Sequence, residues 1–446
     1  MVSLDVTIVN VALPTLSREL DASLPQLQWI VDGYALTFAA VLLTGGALGD
    51  ALGVRRVFSV GLVLFSAASA ACGLAPSIGW LILARFVQGL GAALLVPCSL
   101  ALLRNAYGDE RGRARAVAVW AAAGGAAIAA GPVVGGVLIH ALGWRSIFLI
   151  NLLVGGAMLA LTMARVVSVS PKRRRIDVAG QLIAVIAVAG VTFALIEGPR
   201  MGWTDRAVVT AIAAALLGLI AFALCERSVA DPMLPPKLVR RPAFAGSAIV
   251  GGLLNLAFYG EVFVLSLFFQ QARGESPLAA GLSFLPMTGL ITLSNLVAPR
   301  LAQRIGSIRT IVIGELVLGG GMAAVIAIDA HSPWWAISLT LLPIGIGGGL
   351  SIPPLTHRLL ESVPGTLAGV ASGGFNASRQ VGGAIGVALF GALLPTHGSG
   401  FTAGMRITLA LSVAAMLAAA LLTKLLVGRP TRAEDVDLTG AAVQTP

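Results

Sequence analysis

Long apolar runs recur along the whole chain, broken only by short charged or Pro/Gly-rich stretches, and this pattern leaves few folds open. Residues 57–75, 116–139, 146–164, 178–196 and 276–299 each contain no Asp, Glu, Lys or Arg. A segment of about 20 apolar residues spans a bilayer as a helix, and a backbone in lipid must satisfy its hydrogen bonds within such a helix or a closed barrel. With 57% hydrophobic and 11% charged residues, the chain has too few polar side chains to cover a water-soluble fold of 446 residues. The fold class expected is an all-α polytopic membrane protein.

Reading the runs against their breaks gives fourteen spans, near residues 1–16, 28–49, 57–75, 78–103, 116–139, 146–164, 178–196, 207–225, 243–270, 277–299, 310–328, 333–354, 366–394 and 407–423. The first is shorter than the usual 20 or so residues. It is expected either to be completed by residues preceding Met1 or to reflect a start placed too late. Lys and Arg are concentrated in alternate loops, with Lys172 to Arg175 the heaviest cluster; only Arg18, Arg145, Arg200, Arg206, Arg273 and Arg406 fall on the opposite side. The bias places both termini in the cytoplasm. It also accounts for the net charge of +10 as loop charge rather than a nucleic-acid surface. Cys72, Cys98 and Cys225 each lie in an apolar run and suggest neither a disulfide framework nor a metal site.

An internal repeat is visible. Leu48 to Arg56, after the second span, aligns with Leu301 to Arg309, after the tenth. If spans seven and eight are an insertion, the chain is two six-helix bundles plus two inserted helices, with boundaries at 1–165, 166–242 and 243–428 and a polar, disordered tail over 429–446. Repeated halves of this kind are a transporter plan, with the binding site between them near mid-bilayer.

Ionisable residues within spans cost roughly 2.5–3.5 kcal/mol each on insertion scales and are functional candidates by default. They are Asp5, Asp32, Arg85, Glu261 and Arg379, with Glu315 nearer a helix end. A carboxylate in a low-dielectric cavity can hold a proton while facing one side of the membrane and lose it while facing the other. Asp5, Asp32 and Glu261 suit that role, and Arg85 can stabilise a deprotonated partner without titrating; a static interhelical ion pair is the alternative reading. Gly46, Asp50, Gly53, Arg55 and Arg56 form a short loop whose charges suit a latch at a helix end. Gly131, Pro132, Gly135 and Gly136 combine small residues four apart with a helix-perturbing proline. No phosphate-binding loop, metal-ligand cluster or catalytic triad is present in the sequence, which argues against an enzyme and against ATP-driven transport, so no cofactor is expected.

These motifs resemble those of the major facilitator superfamily, and specifically its 14-helix drug:proton antiporter branch. The resemblance rests on Leu4 to Pro14 in the first span, Gly46 to Arg56, Leu83 to Gly91 around Arg85, and Gly131 to Gly136. It rests further on Trp144 to Asn151, Ser276 to Gly281, and Asn376 to Gly383 around Arg379. Ala51 and Val54 stand where that family usually has Arg, and Ala127 replaces a usual Gly. What the resemblance implies is alternating access in the cytoplasmic membrane, powered by protons, with a lone chain exporting small amphipathic or cationic drugs. Asp5 and Arg85 would handle the proton, and Gly131 to Gly136 would shape the bundle interface. Asn10, Tyr34, Phe38, Asn255 and Phe258 are the expected cavity lining. A dedicated exporter of one endogenous metabolite, such as an antibiotic or siderophore, and a membrane sensor without flux are the competing readings.

Overall fold

A computed structural model describes residues 1–106, 109–166, 177–229, 235–363, 367–394 and 400–428. The basic cluster Lys172 to Arg175 and the tail 429–446 lie outside them. Among the described residues every regular element is helical. The helices are α1 (Val2–Glu19), α2 (Leu24–Leu52), α3 (Val54–Gly73), α4 (Ile78–Ala106), α5 (Glu110–Leu142), α6 (Ser146–Arg165), α7 (Val178–Met201) and α8 (Arg206–Ser228). They continue as α9 (Pro236–Val239), α10 (Pro242–Leu267), α11 (Pro277–Ser283), α12 (Leu285–Ile305), α13 (Ser307–Val325), α14 (Trp334–Glu361), α15 (Ala368–Ala392) and α16 (Phe401–Leu422).

Local chemistry sets many of their starts. Asp109, Asp177 and Asp205 each accept a hydrogen bond from a backbone N–H in the first turn of α5, α7 and α8. Ser23 and Gln26 form a capping box on α2, and Ser276 with Pro277 opens α11. Among the described residues twelve spans, counting α11 and α12 as one, are long and apolar enough to cross a membrane. α1 and α15 fall below that measure, α1 through the charges of Asp5, Arg18 and Glu19, α15 through a first half rich in Gly, Ser and Asn. Leu216, Leu217, Leu219, Ile220 and Leu224 leave α8 with an exposed apolar face of the kind lipid covers.

Two bundles repeat one packing order. In the first, α1 packs on α5, α2 on α4, α3 on α4, and α3 on α6; in the second, α10 packs on α15, α12 on α14, α13 on α14, and α13 on α16. The bundles meet where α2 touches α15 and where α5 touches α11 and α12. The α7–α8 hairpin lies over the first of these seams, against both α2 and α15. Gln181 of α7 bonds Thr44 and the Ala40 carbonyl of α2, and Trp29 donates to Glu197 at 3.0 Å.

The repeated loop seen in the sequence has one structural counterpart in each half. α2 and α3 are joined by Gly53 alone (φ 94°, ψ 122°), and α12 and α13 by Gly306 alone (φ 92°, ψ 146°). The expected loop over Gly46 to Gly53 is therefore corrected: α2 stays helical to Leu52, because the reversal needs only one residue in a conformation open to glycine. Gly53→Val is expected to cost roughly 1–3 kcal/mol, read as a lower melting midpoint in detergent. An unchanged midpoint would show that the turn relaxes freely.

Candidate functional site

A cavity of about 2740 Å³ lies between the bundles. Gly53, Val54, Pro299, His357 and Gly369 line it at one end, so the mouth sits where α2 meets α3 and α15 begins. The opposite end is closed by contacts across the seam. Gln28 Nε2 of α2 donates to the carbonyls of Val387 (3.1 Å) and Ala388 (2.8 Å) on α15. Gln270 Nε2, just after α10, donates to the Val11 carbonyl of α1 at 2.9 Å.

Gly131 to Gly136 belongs to this closure. A Cβ on Gly131 would strike Thr7 Oγ1, and one on Gly135 would lie 2.8 Å from Ile8 Cγ1, so these two glycines admit α1. Gly136 faces the second bundle, where a Cβ would lie 2.7 Å from the Pro277 carbonyl oxygen and 2.9 Å from Leu278 Cα. Gly281 of α11 packs in turn against the Pro132 carbonyl. Small residues at spacing four thus let α5 touch α1 on one face and α11 on the other.

Beside the cavity, inside the first bundle, Asp5 and Arg85 meet at 2.5 Å, each 1% exposed. Arg85 also donates from Nε to the Ile30 carbonyl (2.9 Å) and from Nη1 to Gln88 Oε1 (2.7 Å). Its guanidinium lies 4.3 Å from the centre of the Tyr34 ring, a cation–π contact. Gln88 Nε2 (3.0 Å) and Asn151 Nδ2 (3.1 Å) both donate to Asp5 Oδ1, and both also donate to Ser69 Oγ, which donates to the Phe148 carbonyl. Five helices, α1, α2, α3, α4 and α6, are tied through one carboxylate. Arg85 and Gln88 lie three apart on α4 and so share a face.

Gln88, Asn151 and Ser69 were not singled out from the sequence. Gln88 and Asn151 sit within quoted motifs, whereas Ser69 is an ordinary hydroxyl in an apolar run. Asn151→Ala removes one amide donor from Asp5 and leaves the ion pair. We expect transport to fall about three- to tenfold, as for the net loss of one hydrogen bond of about 0.7–1.4 kcal/mol while Asp5 keeps Arg85 and Gln88, in vesicle uptake of a substrate. Undiminished uptake would place Asn151 outside the working network.

The other candidates are spread more widely. Asp32 is fully buried, with no hydrogen-bond partner for either oxygen among the described residues. It borders a void of about 20 Å³, shared with Tyr34, Arg85, Tyr259 and Gln380 and wide enough for one water. Glu261 is buried in α10 without a hydrogen-bond partner among the described residues and lines neither void. Gly46, Asp50 and Gly53 line the mouth, Arg55 donates to the Met163 carbonyl (2.9 Å) within its own bundle, and Arg56 is exposed.

Phe38, Asn255 and Phe258 line the cavity as expected. Asn10 and Tyr34 do not. Asn10 folds its amide back onto the Val6 carbonyl (3.0 Å) at 2% exposure, and Tyr34 is buried beneath Arg85. Both residues were expected on the wall because of the spans they occupy, and helix rotation turns them inward.

Two helical bundles around a central, one-ended cavity define a polytopic membrane transporter rather than an enzyme. The profile of the Major Facilitator Superfamily matches residues 1–387, and the chain belongs to that superfamily. It is 41% identical over 394 residues to a methylenomycin A resistance protein of Streptomyces coelicolor, covering 88% of this chain and 83% of that one. It is 33% identical to a tetracenomycin C resistance and export protein of Streptomyces glaucescens, over 89% and 74%. Among solved structures, a peptide transporter in complex with sulfate superposes with TM-score 0.72 at 15% identity, covering 95% of this chain and 92% of the other, a likeness of fold.

Proposed function

We propose that this chain exports small amphipathic antibiotics across the cytoplasmic membrane in exchange for protons. In this reading it has fourteen spans, both termini in the cytoplasm, and bundles over 1–165 and 243–428 flanking the inserted pair over 166–242. It works as a monomer, and the cavity mouth faces the cytoplasm. The observation that carries the coupling is the sealed Asp5–Arg85 network beside the cavity. A proton on Asp5 cancels the charge that holds Arg85, Gln88 and Asn151, and so loosens five helices of one bundle together. Asp32, at the small void between the bundles, supplies a second proton site, and Glu261 a third in the other bundle. Asp50, Arg55 and Arg56 latch the mouth when the bundles rock closed there.

A proton crossing 100 mV releases about 2.3 kcal/mol, enough for a substrate gradient of roughly 50-fold at about 1.4 kcal/mol per tenfold. The test is made in everted vesicles holding a pH gradient, followed by quenching of an acridine dye. Methylenomycin A and tetracenomycin C, suggested by the relatives' names, are added in turn. Vesicles carrying the chain should lose part of the gradient on addition of a substrate, and control vesicles should not. Drug movement that persists with a protonophore would overturn proton coupling. A response to one compound alone would favour a dedicated exporter over a multidrug one.

A further inference from the structure

Arg379 differs from several arginines in the bundles or at their ends. Arg85, Arg200 and Arg273 each meet a carboxylate at 2.7 Å or less. Arg379 meets none among the described residues: its Nε donates to Asn255 Oδ1 at 3.2 Å, and its guanidinium carbon lies 5.8 Å from the Phe375 ring centre. Its stem is fixed by α10, where a Cβ on Gly251 would lie 3.1 Å from Arg379 Cγ. The residue lines the cavity, and among the described residues it is the only Lys or Arg that does. The carboxylates on that wall are Asp50 and Asp177, both at the mouth, Asp177 at the start of α7. Asp5 is sealed behind Arg85, and Asp32 lies beyond Tyr259 and Gln380, outside the cavity.

A guanidinium always carries its charge, and a cation in a low-dielectric wall without a counter-ion is costly until an anion arrives. A planar fork with free N–H groups matches a carboxylate. The Asn255 amide, whose oxygen is taken by Arg379, still has N–H groups to donate, and Phe38, Phe258 and Leu95 offer an apolar surface to the rest of a ligand. From this geometry we propose that the transported class is amphipathic organic anions, carboxylates above all, with the anionic group held by Arg379 and Asn255. The proposal rests on the export reading and narrows it to negatively charged substrates. It has a further consequence: trading one inward proton for one outward monoanion moves net charge, whereas trading it for a monocation does not.

The test uses three probes of similar shape and different charge: 1-naphthylacetate, 1-naphthylacetamide and 2-(1-naphthyl)ethylammonium. Binding to the purified full chain in detergent is measured by equilibrium dialysis at neutral pH. The acid should bind roughly tenfold or more tighter than the amide, as a charge-assisted hydrogen bond provides, and the ammonium no tighter than the amide. Arg379→Gln should erase the preference for the acid over the amide, and Arg379→Lys should restore part of it. An ammonium that binds as tightly as the acid, or an acid no better than the amide, overturns the proposal on the intact chain, whether or not the variants fold. Dialysis involves no gradient, so acid that binds well yet is not moved by energised vesicles counts against export and leaves the charge assignment standing.

Discussion

Asp5→Asn is expected to abolish proton-driven export while the protein remains inserted in the membrane. Asn nearly preserves the shape of the side chain, so packing around α1 is retained, but the group that can gain and lose a proton is gone. Arg85 then lacks its counter-ion, and breaking a buried pair by removing one partner costs about 3–5 kcal/mol. Some of that is recovered, because Arg85 keeps the Ile30 carbonyl, Gln88 and the face of Tyr34. Substrate-dependent loss of a pH gradient should fall to the level of control vesicles. Binding of a substrate without a gradient should stay within a few-fold, since Asp5 does not line the cavity. The split between binding and coupling is the informative readout, and a melting curve in detergent guards against simple unfolding. Asp5→Asn protein that still collapses the gradient at half the native rate or more would move proton coupling elsewhere, with Asp32 next in line.

Much of this arrangement was legible in the sequence because lipid enforces simple rules. Apolar length gave the helices, and the recurrence of Leu48 to Arg56 at Leu301 to Arg309 gave the repeat, which in space is the single-glycine turn at Gly53 and Gly306. Charge in an apolar run identified Asp5 and Arg85, and the structure joins them. Periodicity said less about rotation. α1 is buried nearly all round, and α4 has almost no amphipathic bias, so no stripe of residues announces which face meets the cavity. For that reason Asn10 was misplaced and Gln88 passed over; Tyr34 on α2 was assigned to the wall by its span alone, and Asn151 on α6 carries no charge to mark it. Arg379 could be recognised from its motif, but only its surroundings reveal that it meets no carboxylate among the described residues. The closure between α5 and α11 was also out of reach, because Gly131 to Gly136 reads the same whichever helix it admits.

Gly136→Val is expected to hold the closed end of the cavity apart and to lower transport about tenfold or more. The first added carbon would lie 2.7 Å from the Pro277 carbonyl oxygen and 2.9 Å from Leu278 Cα, both backbone atoms, which cannot turn aside as a flexible side chain would. α5 and α11 must therefore separate, and overpacking of this kind costs typically about 1–3 kcal/mol. The cost falls on the state in which these helices touch, so the balance shifts toward the opposite-facing state by roughly 5- to 150-fold. Asn376→Cys, on the cavity wall, reports the shift with Cys72, Cys98 and Cys225 replaced by Ser. An impermeant thiol reagent applied from the mouth side should label position 376 more slowly in the Gly136→Val chain. Gly124→Val, on the cavity wall, is the control for the clash on the same helix, because a Cβ there meets only Ser3 Oγ at an ordinary 3.7 Å, and labelling should be unchanged. Equal labelling in the two variants would mean that α5 and α11 part without cost, and that the seal at this end rests on Gln28 and Gln270 instead.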